Sequence, residues 1–161
     1  MLKQIKQITG LLFLVSSSSL TGQITFSEIV EAVNNHDSNY FTKDHLISIG
    51  FFPGKIDKYY ESWGYDLESG KASAWLHISR TETNAIGKIQ LISWGHEIHS
   101  ELIKEIVKNC KYRRVRRHYE GTYYMVYQYK DILEINIWEG EKDGIEYYII
   151  DIYFTENMQQ Q

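Results

Sequence analysis

The sequence predicts an α+β fold: an antiparallel sheet of six or seven strands with helices packed on one face. Three observations predict it. Stretches with apolar residues at helical spacing are followed by segments that alternate apolar and polar residues, the period of a half-buried strand. The C-terminal segments are joined by turns at Glu120-Gly121, at Lys130-Asp131 and from Gly140 to Gly144. Such turns are too short for the crossover of a dozen or more residues that a parallel return needs. The order helix, strand, strand, strand runs once from Asn39 and again from His96, with one extra strand at the end, as a tandem duplication would leave it.

The first 22 residues are expected to lie outside this fold. Lys3 and Lys6 form a basic start, an apolar run follows from about Ile8 to Leu20, and Ser17, Ser19 and Gly22 supply small residues near a cleavage point. This is the pattern of a secretory signal, and the run is shorter than the ~20 residues that span a bilayer. No cysteine stands there to carry a lipid, so no stable membrane anchor is expected. The domain then covers residues 23–155, and the polar residues 156–161 read as a frayed tail. Export places the domain in a periplasm or outside the cell.

Thr25 and Glu28 match a capping box, and Phe26, Ile29, Val30 and Val33 continue it as the first helix until the Asn34-Asn35-His36-Asp37 cluster. A second helix is expected over 39–49, with Gly50 as its left-handed cap and Phe51 folding back. Pro53-Gly54 then reads as a turn. Residues 55–66 carry a weak strand pattern, whereas 72–80 alternate cleanly and 85–94 return as their hairpin partner across residues 81–84. The clearest helix spans 96–110, with Glu97, Glu101 and Glu105 early and Lys104, Lys108 and Lys111 late, as the helix dipole favours. Its apolar stripe is Ile98, Leu102, Ile106, Val107 and Cys110. Strands over 111–119, 122–130, 132–139 and 145–154 complete the chain. Tandem helix-plus-meander units resemble in layout the secreted β-lactamase-inhibitor proteins and small envelope-assembly lipoproteins. That resemblance is architectural and carries no activity with it.

Composition narrows the function classes. With 43% hydrophobic and 24% charged residues the chain is globular rather than disordered, and its formal charge of −4 argues against a general nucleic-acid binder. The single Cys110 has no partner for an intramolecular disulfide and reads as a buried, inert thiol. There is no Gly-rich phosphate loop, no G-x-S-x-G elbow and no paired cysteine motif. No cofactor and no metal are expected.

Two surfaces remain as candidates. If Leu76, Ile78, Leu133, Ile135, Ile137, Tyr148, Ile150 and Ile152 face the helices, alternation sends Trp75, His77, Glu134, Asn136, Trp138, Tyr147, Asp151 and Tyr153 outward, with Tyr124 and Gln128 beside them. Aromatic rings among amides and carboxylates suit recognition of a protein or glycan, and Trp75, His77, Tyr124, Asn136, Trp138, Tyr147 and Tyr153 are the candidate binding residues. The same pairs also stabilise ordinary sheet surfaces. The second surface is the run Lys111, Arg113, Arg114, Arg116 and Arg117 within one strand. Alternation divides these charges between two faces, where they pair with Glu134, Glu139, Glu146 or Asp151 or protect a sheet edge. Arg113, Arg114, Arg116 and Arg117 are also a candidate anion site, because guanidinium forks grip phosphate and carboxylate bidentately.

His96-Glu97-Ile98-His99 falls one residue short of the H-E-x-x-H metal pattern and reads as a polar helix start. The resulting expectation is an exported, non-enzymatic domain that binds a protein or glycan partner through its aromatic sheet face. The alternatives are a small hydrolase or metal-dependent enzyme using His96 and His99, and a carrier holding a small ligand among Tyr123, Met125 and Tyr127. The oligomeric state is not legible.

Overall fold

In the computed structural model, which describes residues 24–34, 41–68, 71–94, 99–118 and 121–155, one eight-stranded antiparallel sheet carries three short helices. The helices are α1 (Phe26–Asn34), α2 (Lys43–Ser48) and α3 (Ser100–Asn109). The strands are β1 (Phe51–Ile56), β2 (Tyr60–Glu68), β3 (Lys71–Arg80), β4 (Ile86–Trp94), β5 (Lys111–Arg117), β6 (Tyr123–Tyr129), β7 (Leu133–Lys142) and β8 (Ile145–Phe154). Their order across the sheet is β1-β2-β3-β4-β8-β7-β6-β5, so two four-stranded meanders meet at the central β4–β8 pair. The order reads alike from either edge, and each meander follows a helix, an arrangement consistent with duplication. The proposed signal, residues 1–22, and the tail 156–161 lie outside the described residues. No helix among the described residues is long and apolar enough to cross a membrane.

The capping box forms as expected: the Thr25 amide donates to Glu28 Oε2 at 2.6 Å, and the Glu28 amide donates to Thr25 Oγ1 at 3.3 Å. Glu105 of α3 accepts a further hydrogen bond from the Phe26 amide at 2.9 Å, which joins the two helices. Below them Phe26, Ile29, Leu46, Leu102 and Ile106 pack on Leu76, Ile78, Ile89, Leu91, Leu133, Ile135, Ile150 and Ile152, all buried. Alternation along each strand places those residues on one face, and the helices cover that face alone.

Several boundaries differ from the sequence reading. Pro53-Gly54 is no turn but part of the edge strand β1, where a residue without an N–H is tolerated because one side of the strand is unpaired. The turn comes later, where the Tyr60 carbonyl accepts from the Asp57 amide and Asp57 Oδ1 accepts from the Tyr59 amide. This adds the eighth strand. Helix α2 starts at Lys43, because the Thr42 hydroxyl accepts from the His45 amide and caps it there. Gly50 is its left-handed cap at φ +98°, as expected, with Phe51 buried after it. The last hairpin turns at Asp143-Gly144 alone, both at positive φ as the tight hairpin turn requires. Gly140 therefore belongs to β7.

Val107 also departs from expectation: it is 54% exposed, one position off the Leu102–Ile106 seam that meets the sheet. Cys110 is half-buried, and burial pushes its thiol up to about 11, so it stays protonated and unreactive near neutral pH.

Candidate functional site

The face without helices is built by register. Across the sheet, Phe52 pairs with Gly64, Gly64 with Trp75, Trp75 with Ile92, Ile92 with Ile149, and Ile149 with Trp138. Because register partners share a face, these residues form one transverse row, and Tyr124 extends it beside Trp138 at 5.7 Å between rings. At a strand spacing of about 4.8 Å, the row spans roughly 14 Å from Trp75 to Trp138. All of its side chains other than glycine are half-buried.

The row holds two aromatic groups rather than one. Around Trp75, Phe52 meets the indole edge-on at 6.3 Å, and His77 stacks parallel to it at 6.2 Å. The Phe52 ring lies over Gly64 so closely that a Cβ there would sit 2.2 Å from Cζ. Around Trp138, Tyr124 tilts against the indole and His118 stacks at 6.1 Å. The Ile92–Ile149 pair separates the groups with a flat aliphatic floor.

A polar row runs beside this one. His77 pairs with Gln90, Gln90 with Asp151, and Asp151 with Asn136. Asp151 is only 2% exposed, although it sits on the uncovered face. Its Oδ1 accepts from Lys88 Nζ and Gln90 Nε2, each at 2.9 Å, and its Oδ2 accepts from the Tyr153 hydroxyl at 3.2 Å. Burial, reinforced by the Asp151 charge, pushes the Tyr153 hydroxyl pKa far above its usual value. The Lys88 ammonium also lies 5.1 Å from the Tyr153 ring centre.

The candidate binding residues thus divide. Trp75 joins His77, and Tyr124 joins Trp138. Tyr153 is occupied in the Asp151 network, and Tyr147 lies across Gly140, 2.5 Å from where a Cβ would stand. Asn136 does belong to the face, between its register partners Val126 and Asp151, but is only 6% exposed. It is not available as a surface contact. Phe52, Ile92 and Ile149 were missed; alternation from Leu91 and Ile150 would have found the isoleucines, and the Pro53 turn reading hid Phe52.

His77 has a further consequence. The Tyr60 hydroxyl is hydrogen-bonded to its Nδ1 at 2.6 Å. Burial first, and then the Lys88 charge, lower its pKa from 6.5. The folded protein thus binds the His77 proton less readily than the unfolded chain, so the His77 contribution to stability is full above about pH 6.5 and is lost as pH drops below it. Urea midpoints compared at pH 8 and pH 5.5 should fall further for the wild type than for His77→Gln. Equal falls would remove His77 as the cause.

The remaining sequence candidates fall elsewhere. His99 is 2% exposed at the start of α3, which withdraws it from a surface metal site, and His96 lies outside the described residues. Among the described residues no group of three or more metal-ligating side chains is assembled. Tyr123 and Met125 are 64% and 39% exposed while Tyr127 is buried, so the three do not enclose a ligand between sheet and helices. No protein-family model, no curated protein and no solved structure matches the chain.

Proposed function

We propose that this chain is an exported, non-enzymatic binding domain whose helix-free sheet face docks on a protein partner. The observation that carries this reading is the row from Phe52 through Trp75, Ile92, Ile149 and Trp138 to Tyr124 on the one face the helices leave uncovered. Aromatic anchors around an aliphatic floor, flanked by a polar row, match the make-up of a protein interface, where a few large side chains carry most of the energy. The Asp151 network supports this role by holding the face rigid, which lowers the ordering cost of binding.

A glycan partner is the second reading, favoured by the two indoles, Trp75 and Trp138, half-buried on the uncovered face, since indole rings stack on sugar rings. Export rests on the basic and apolar pattern of the first 22 residues. The test is capture from the producing cell's surface and medium fractions. Wild type should retain a partner that a folded Trp75→Ala, Trp138→Ala double variant loses, and arrayed glycans should separate the two partner classes.

A further inference from the structure

The arginine run of β5 does not divide between faces as alternation predicts, because the strand is bulged. Tyr112 pairs with Tyr127 and Arg114 with Val126, so Arg113 is an extra residue and the alternation resets behind it. Arg113, Arg114 and Arg116 consequently line one open depression of ≈ 350 Å³ on the helix-free face, together with Val126, Gln128 and Glu134. Only Arg117 is left on the opposite face, where its register partner is Tyr123.

The depression is under-neutralised. Arg113 Nε donates to the neutral amide oxygen of Gln128, whose own Nε2 donates to Asp131. Arg116 reaches Glu134 only at 3.4 Å, and the Arg114 side chain makes no hydrogen bond or ion pair among the described residues. Three guanidinium groups therefore face one carboxylate within the lining, in a chain whose formal charge is −4. Val126, 2% exposed, is the apolar residue of the lining. Edge protection requires charge along β5 but not three guanidinium groups turned to one side.

From this geometry we infer that the β5 depression binds a tetrahedral oxyanion, a phosphate or sulfate group, gripped by Arg113, Arg114 and Arg116. Planar guanidinium forks match the paired oxygens of such groups, and its two negative charges balance the excess. The site borders the aromatic row, since Arg116 pairs with Tyr124, but it does not depend on that row's role.

The test follows the arginine Nε–H resonances during titration with inorganic phosphate, inorganic sulfate, and phosphate and sulfate monoesters of glucose, with ionic strength held constant by sodium chloride. Saturable shifts at Arg113, Arg114 and Arg116 are expected, weakened about tenfold or more by Arg114→Gln and unchanged by Arg117→Gln. Tighter binding of the esters identifies a group carried on a larger molecule, and tighter binding of the inorganic ions identifies the free anion. Shifts that do not saturate, or a folded Arg114→Gln protein that binds as well as wild type, overturn the inference. Melting curves of both variants verify the fold.

Discussion

Trp63→Ala should lose about 3–5 kcal/mol of unfolding free energy, whereas Trp75→Ala and Trp138→Ala should each lose under about 2 kcal/mol. The side chains are alike and their positions are not. Trp63 is fully buried on the helix-covered face, where truncation leaves a cavity that packed neighbours fill only in part. Its Nε1 also donates to Glu61, which holds Arg80 at 2.6 Å, so the truncation disturbs an ion pair as well. Trp75 and Trp138 lie half-buried on the open face, where solvent fills the space they vacate. Urea denaturation of the three variants measures the difference, and comparable losses at all three sites would contradict the sidedness of the sheet.

Asp151→Ala should cost about 2–4 kcal/mol, the largest effect expected on the helix-free face. Truncation leaves the Lys88 ammonium, the Gln90 amide and the Tyr153 hydroxyl without their common acceptor. The upper end is tempered because the Lys88 side chain is 28% exposed and can regain some water. Asp151→Asn, close in shape but uncharged, should cost less, because an amide oxygen in the place of Oδ1 still accepts from Lys88 and Gln90. Denaturation midpoints test both variants. A loss under about 1 kcal/mol in Asp151→Ala would mean that the network adds little to the fold.

Much of this architecture was legible because burial on one face of a sheet writes itself into alternate residues. Leu76 and Ile78, Leu133, Ile135 and Ile137, and Ile150 and Ile152 were placed on the covered face by period alone, and all are buried. The capping box at Thr25 and the left-handed cap at Gly50 were legible because each rests on chemistry within a few residues.

What escaped was set by partners distant in sequence. Pro53-Gly54 carries a turn signal that edge pairing with β2 overrides. The bulge at Arg113 exists only relative to β6, so simple alternation could not show that Arg113, Arg114 and Arg116 share a face. Asp151 looked like a surface carboxylate because Lys88 and Gln90 reach it only after β4 and β8 pair at the sheet's centre. The candidate face was therefore half legible: Trp75 and Trp138 were placed on it, while the aliphatic floor between them and the polar network beside them were not.

The role of the helix-free face is tested most directly by comparing three purified proteins for capture from surface and medium fractions of the producing cell: wild type, Trp75→Ala with Trp138→Ala, and Tyr59→Ala. Tyr59 is a control, 46% exposed in the β1–β2 turn and outside the transverse row. Wild type and Tyr59→Ala should retain the same partner, and the double variant, with its fold verified by melting, should lose it. A double variant that retains the partner as fully as wild type would contradict the assignment of this face as the binding surface.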